Sequence, residues 1–397
     1  MVKVGANEDT STNAGKVAEA YYQSRWIYMN KTVLNGYWDV WAAYAALGED
    51  IANFDYIYDD SGNSASQLGA SILSIIALGE NPYNYKGVNY VEKLRESGLG
   101  GAWSVPVYNA LGAEAAGMNN IDLMPALNGA ANWLTSLSYG PDIGGWACVP
   151  ISRHLDVAAF KEKTTYFLQS VAKDMAGQTT GSGSLSMGCV STGLAALYAG
   201  NAQIDGIDSL NVVEDEPWSA SDPIGSMYTG MEAMFGKDST TFGTQLIMEF
   251  CDMYNVYYDN RNVGWLECGV TKAKLDAQME KANAILAEET KYEAASIKDI
   301  KAAMEKVNAI SEERLNNKIA DYGEEYYTLY DAVRYAKLAG QSEMDQAVAD
   351  KVADQINALN DEITLADKEA VEAAKAAYDA LTNDQKALVA EEVKAKL

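Results

Sequence analysis

The stretch Trp41-Ala42-Ala43-Tyr44-Ala45-Ala46-Leu47-Gly48 is a run of small and apolar residues closed by a glycine, and variants of it recur along the first two thirds of the chain. Residues 70–79 read Ala-Ser-Ile-Leu-Ser-Ile-Ile-Ala-Leu-Gly, and residues 109–117 read Asn-Ala-Leu-Gly-Ala-Glu-Ala-Ala-Gly. The runs that end at Gly200 and Gly236 have the same form. Alanine-rich runs favour helix, and a glycine just past the last turn is a common stop. The closing glycines stand 31, 38, 83 and 36 residues apart. The third interval is about two periods, and such a repeat marks stacked helical units that cannot bury their apolar faces alone.

The 397 residues suit two domains, and 48% apolar against 22% charged residues is enough for a sizeable core. The net charge of -26 would repel nucleic acid and anionic membrane surfaces. No apolar run approaches the roughly 18–20 residues that a membrane-spanning helix needs. Met1–Thr10 lacks the apolar core of a signal peptide and reads as an initiator methionine followed by a polar linker, so a fragment of a longer secreted chain is expected. Cys148, Cys189, Cys251 and Cys268 form no Cys-x-x-Cys pair and His154 is the only histidine, so no metal site is expected. Buried free thiols are one reading of the cysteines; one or two bridges in a secreted chain are the other.

Composition breaks near residue 270. All eight Trp, all four Cys, all seven Pro and 30 of the 32 Gly precede it. The part before the break has 13 basic and 30 acidic residues, net -17; the part after has 17 and 26, net -9. We read 1–13 as a linker, 14–270 as one domain and 271–397 as a helical bundle module. In the second region apolar residues recur at helical spacing: Leu275, Met279, Ala282 and Leu286; Ile297, Ile300, Met304, Val307 and Ile310; Tyr327, Tyr330, Val333 and Leu338; Val348, Val352, Ile356 and Leu359. Ser296 is expected to cap one helix and Thr382 the last, which would run from Gln385 to Leu397. Such stripes are the seams of antiparallel bundles. The first region is expected to hold about ten to twelve helices, with Gly181-Ser182-Gly183-Ser184 as a loop between two of them.

A second element accompanies the repeat. Gly100-Gly101-Ala102-Trp103 stands before the Val105–Gly117 run, and Gly144-Gly145-Trp146 stands before a helix expected from Asp156. Gly-Gly-Trp followed by a small-residue helix resembles the repeats of the terpenoid cyclase / protein prenyltransferase superfamily over about residues 14–265. The resemblance implies an all-α fold, an α/α toroid with an inner ring of helices inside an outer ring, followed by the antiparallel bundle. Ala370–Val389 looks like the small helical modules of Gram-positive surface proteins, and Ser296–Ile310 looks similar to the FIVAR-type repeats of the same proteins. That resemblance implies an extracellular or wall-attached protein.

The chemistry of the superfamily does not carry over residue by residue. Its cyclases protonate an alkene with an Asp-x-Asp-Asp motif, whereas Asp55-Tyr56-Ile57-Tyr58-Asp59-Asp60 has a different spacing in a polar stretch. The zinc ligands of prenyltransferases have no counterpart in the spacing of Cys148, His154 and Asp156. The thioester of complement-type domains needs a Glu-Gln that Met187-Gly188-Cys189-Val190-Ser191 lacks. No nucleophile elbow, phosphate loop or dinucleotide fingerprint is present. Asp39, Asp142, Asp156, Glu232 and Asp252 are candidate acids for a glycan-active toroid, but acids are abundant here. We therefore assign no catalytic residue, no metal and no cofactor.

Aromatic residues remain. Tyr37, Trp38, Trp41 and Tyr44 head one small-residue helix, Trp103 and Tyr108 another, and Trp146 and Trp265 follow glycines in expected loops. Such rings can stack on a flat ligand, a sugar or an apolar side chain, or they can wedge neighbouring repeats together. The leading expectation is a non-catalytic binding or adhesion protein whose toroid takes a host or environmental protein, a glycan, or a small molecule such as a corrinoid. A toroid enzyme, cyclase-like or glycan-active, and a structural stalk are the alternatives.

Overall fold

The computed structural model describes residues 9–31, 33–53, 68–136, 141–171, 182–213, 223–234, 241–360, 364 and 367–397. The fold is all-α: among the described residues the only β pairings are two isolated bridges, Tyr85 with Val88 and Tyr292 with Leu338. No described helix is long and apolar enough to cross a membrane. Two compact units are present: residues 1–275 with 310–327, and residues 276–309 with 328–397.

In the first unit, six helices form a series of neighbours that closes on itself. Gly36–Leu47 packs on Leu68–Ala77, which packs on Val105–Ala115, then Asp142–Ile151, Ser182–Ala199 and Thr241–Tyr257; the last returns to Gly36–Leu47. Other helices pack against members of this series. Asn13–Met29 touches Gly36–Leu47 and Thr241–Tyr257, and Asn120–Trp133 touches Val105–Ala115 and Asp142–Ile151. Thr12 starts the first of these, its hydroxyl accepting a hydrogen bond from the Gly15 N–H at 3.0 Å.

The small residues allow backbones to meet. A methyl group at Gly69 would overlap the Tyr108 carbonyl, and one at Gly112 would overlap the backbone of Gly69. Gly145 stands equally close to the Cys189–Val190 peptide, and Gly193 to the Gly145 carbonyl. These reciprocal glycine crossings join Leu68–Ala77 to Val105–Ala115 and Asp142–Ile151 to Ser182–Ala199. They also correct part of the sequence reading. Gly144, Gly145 and Trp146 lie inside a helix, not in a loop ahead of one, because these glycines serve close packing instead of breaking the chain. Ser182–Ser184 likewise open a helix instead of forming a loop. Trp265 sits in the one-turn helix Gly264–Glu267.

Residues 310–327 belong to the first unit through backbone pairing near its glycines. Gly323 N–H donates to the Gly117 carbonyl at 3.0 Å, and a methyl at Gly323 would strike the Ala116 carbonyl.

The second unit has a small core of Ala349, Val352, Ile356, Leu359, Ala374, Leu381 and Val389. Its Gln341–Asn357 helix turns Ala349 inward and leaves Val348 42% exposed, one position off the expected stripe. Ser296 does not cap its helix, which starts at Ala294; its hydroxyl accepts from the Lys337 N–H at 3.0 Å. Thr382 does cap, in a reciprocal pair with Gln385, but the helix ends at Leu388 because Val389 and Ala390 are extended; a further turn spans Glu391–Lys394.

Gly145→Ala is expected to lower stability by about 3 kcal/mol or more, since the obstacle is backbone that cannot rotate away. Gly100→Ala, where a methyl comes no nearer than 4.0 Å to the Gly98 carbonyl oxygen, should leave the urea midpoint nearly unchanged. Equal midpoints for the two variants would contradict the crossing.

Candidate aromatic site

Six aromatic side chains from four elements of the first unit meet in one network. Tyr37, Trp38 and Trp41 come from the first turns of Gly36–Leu47, where the i, i+4 spacing sets Tyr37 and Trp41 on one face with ring centroids 4.8 Å apart. Tyr108 comes from the first turns of Val105–Ala115, Trp146 from Asp142–Ile151 and Trp265 from Gly264–Glu267. Trp38 lies 5.1 Å from Trp41, 5.4 Å from Trp146 and 6.4 Å from Trp265, and Trp41 lies 5.4 Å from both Tyr108 and Trp265. Most of these pairs are tilted or edge-on, the arrangement favoured by ring quadrupoles. Tyr37 and Trp38 are half-buried and form the accessible rim; Trp41, Tyr108, Trp146 and Trp265 are buried.

The close packing places these rings. The Tyr108 backbone lies against Gly69, Trp146 follows Gly145, and Trp265 follows Gly264, whose N–H donates to Asp252. Of the eight aromatic residues expected at a site, the structure joins six in the network. Tyr44 is buried and joins Trp41 and Trp265 around a small cavity. Trp103 is 54% exposed, at a backbone φ of 56°.

Two carboxyl groups on Thr241–Tyr257 are buried, Asp252 beside Trp41 and Trp265 and Glu249 beside Gly188 and Cys189. Asp252 Oδ1 accepts from the Gly264 N–H at 2.8 Å, and Oδ2 has no hydrogen-bond partner among the described residues. Asp252 borders a cavity of about 10 Å³ with Trp41, Tyr44, Met248, Gly264 and Trp265, room for the centre of one water molecule. Burial pushes its carboxyl up to about 7, against the pull of the Gly264 N–H and with a further push from Glu267. Glu249, one turn earlier, accepts from Gln245 Nε2 at 2.8 Å through Oε1, and the Cys189 thiol lies against the same carboxyl. Burial holds this carboxyl well above the usual range. The indole N–H groups of Trp41, Trp146 and Trp265 are also buried without hydrogen-bond partners among the described residues.

The remaining candidates lie elsewhere. His154 Nε2 is 3.1 Å from Glu114 Oε2, and the Arg153 guanidinium pairs with the other oxygen of this buried glutamate. Arg153 and His154 border a polar pocket of about 390 Å³ with Asp156, Lys161, Asn201 and Lys318. All four cysteines are buried and free, and burial raises their thiols, Cys268 to about 12. Asp39 is held by Tyr28, Lys31 and the Asn35 N–H, and Asp142 accepts from Ser186. Asp55, Asp59, Asp60 and the Glu232 side chain fall outside the described residues. Among the described residues no cluster of three or more His, Cys, Asp or Glu could hold a metal ion.

Sequence reasoning named Asp252 only as one acid among many and passed over Glu249. The available signal was their setting: both interrupt the run Leu246-Ile247-Met248-Glu249-Phe250-Cys251-Asp252-Met253 in a segment otherwise apolar.

No protein-family profile matches the chain, and comparison with curated proteins and with solved structures gives no match.

Asp252 holds its proton up to about pH 7 when folded but only to about 3.8 when unfolded, so folding takes up a proton between these values. This group's contribution to stability therefore falls as pH rises from about 4 to about 7 and is flat above. Asp252→Asn should reduce that slope and be more stable than the parent above pH 7, by roughly 1–4 kcal/mol. Glu249 acts in the same direction, so part of the slope should persist. Urea midpoints between pH 4 and 8 check this; parallel curves for parent and variant would count against a buried, proton-holding Asp252.

Proposed function

We propose that the first unit is an α/α toroid of the terpenoid cyclase / protein prenyltransferase type, used as a binding module. Its ligand rests on the basin formed by Tyr37, Trp38, Trp41, Tyr108, Trp146 and Trp265. The closed series of helix neighbours supports the toroid reading. The observation that carries the binding reading is the convergence of six rings from four elements with two of them at an accessible rim, since ring faces bind flat or ring-bearing ligands at small entropic cost. Such ligands include glycans, aromatic or apolar side chains of a protein, and ring-bearing small molecules. The helical second unit acts as a spacer, and its likeness to FIVAR-type modules supports an extracellular, Gram-positive setting.

A second reading, an enzyme on the same scaffold, is favoured by one observation. Asp252 is a buried carboxyl tuned to about 7 and bordered by Trp41 and Trp265, the condition of a general acid near neutral pH. The aromatic basin serves both readings; turnover separates them.

The full-length chain, titrated with a panel of oligosaccharides, aromatic amides and corrinoids, should show quenching or a shift of tryptophan fluorescence with at least one class. Tyr37→Ala and Trp38→Ala, both at half-buried positions, should weaken that response roughly 2–10-fold each. A ligand bound with unchanged affinity by both variants has its site elsewhere.

A further inference from the structure

The polar pocket bordered by Arg153 and His154 brings cations together in a chain whose acids outnumber its bases 56 to 30. Three segments of the first unit supply them. Arg153 and His154 follow the last turn of Asp142–Ile151, Lys161 comes from the helix Ala158–Tyr166, and Lys318 comes from residues 310–327. Arg153 Nη2 donates to the Lys318 carbonyl at 3.2 Å and so ties two of these segments together. A helix C-terminus favours a cation, and that position together with the pairing to buried Glu114 accounts for Arg153. No such partner accounts for the lysines. Neither the Lys161 nor the Lys318 ammonium has a hydrogen bond or ion pair among the described residues.

Asp156 is the one carboxylate on the lining. With Glu114 set against Arg153 and Asp156 against one lysine, positive charge is left over. A concave site with surplus positive charge draws an anion, and hydrogen bonds from ammonium or guanidinium to an oxyanion are stronger than neutral ones. Glu114 holds Arg153 and His154 in place ahead of any ligand, which lowers the ordering cost of binding. Size and the uncharged lining narrow the class. A volume of about 390 Å³ falls in the range of roughly 300–1,000 Å³ that small-molecule sites occupy. The side-chain amides of Asn201 and Asn317 border the same space, and an amide can both donate to and accept from a hydroxyl. Large polyanions are repelled by the net charge of -26, whereas a small anion meets chiefly the local surplus.

We propose that this pocket binds a small hydroxylated organic anion, a sugar acid or a sugar phosphate. Lys161 and Lys318 are the counter-charges of its anionic group, and Asn201 and Asn317 the partners of its hydroxyls. The site is separate from the aromatic basin, since none of the six rings lines it.

Calorimetry on the full-length chain tests this at an ionic strength of about 0.15 M, with glucuronate, glucose 6-phosphate and neutral glucose as probes. At least one of the two anions should bind about 10-fold tighter than glucose or more, and the tighter of the two tells carboxylate from phosphate. Lys161→Gln and Lys318→Gln combined in one chain should weaken that anion about 5-fold or more. Both lysines are exposed and without internal partners, so the urea midpoint of this variant should stay near the parent's. Raising the salt to about 0.5 M should weaken the anion and leave glucose unchanged, a check that needs no variant. Tyr37→Ala and Trp38→Ala should leave the anion's affinity as it is. Absence of binding by both anions, equal binding of anions and glucose, or an affinity unchanged by loss of the two lysines overturns the site. An affinity lost in Tyr37→Ala or Trp38→Ala moves the anion to the basin and overturns it equally.

Discussion

The structure depends on helices that touch backbone to backbone at two glycine crossings, Gly69 with Gly112 and Gly145 with Gly193. At ordinary helix separations of about 8–10 Å, side chains occupy the interface and set its geometry. Here the peptide units themselves are in contact, so the side chains flanking each crossing must point away from it. Tyr108 precedes Gly112 by one turn and lies against Gly69, and Trp146 directly follows Gly145. The crossings therefore fix the backbones that carry two of the six rings. Trp265 is placed by a different contact, the Gly264 N–H before it donating to Asp252 Oδ1 at 2.8 Å. The scaffold and the positions of Tyr108 and Trp146 are consequences of one constraint.

The buried polar groups of this unit are costly in a way the scaffold does not require. Burying a hydroxyl or amide without a partner costs about 1–3 kcal/mol, and a charged carboxylate considerably more. Asp252 and Glu249 avoid much of that cost by holding their protons, which is why both carboxyls are raised. Asp252 still has an oxygen that forms no hydrogen bond among the described residues, and three buried indole N–H groups share that condition. A stalk would be more stable with leucine or methionine at positions 249 and 252. The concentration of buried donors and acceptors among Trp41, Trp146, Trp265 and Asp252 is the physical argument for a site there.

Much of the fold was legible because alanine-rich runs closed by glycine are local signals: residues 41–48, 70–79 and 109–117 correspond to helices or their ends. Tyr37, Trp38, Trp41 and Tyr108 were expected near helix starts and stand there, whereas Trp146 and Trp265, expected in loops, lie in helices. What the sequence concealed was the role of the inner glycines. Gly144-Gly145 reads as a loop because glycine disfavours helix in isolation, and only the partner helix, 40 and more residues away, shows that the missing side chain is what the position needs. Val348 and Ala349 differ by one register position, which an amphipathic stripe of alternating alanines and valines specifies weakly. Asp252 and Glu249 were hidden by number, two carboxyls among 56. Burial singles them out, and burial is a property of the assembled helices.

The rings of the basin pack on each other at centroid distances of 4.8–6.5 Å, so a ligand does not enter a ready-made hole. It adds to the faces that Tyr37 and Trp38 leave open, or it separates rings that already stabilise one another. Separation forfeits roughly 0.5–1.5 kcal/mol for each ring pair lost. A neutral flat ligand gains about the same from each new stack, so its net affinity is modest. A ligand that brings an additional term, such as a hydrogen bond to a buried polar group, is the kind that offsets opening the cluster. Asp252, which lines a small cavity with Trp41 and Trp265, is the nearest such group, a carboxyl that holds its proton up to about pH 7. Ring packing thus acts as a filter, admitting weakly what only stacks.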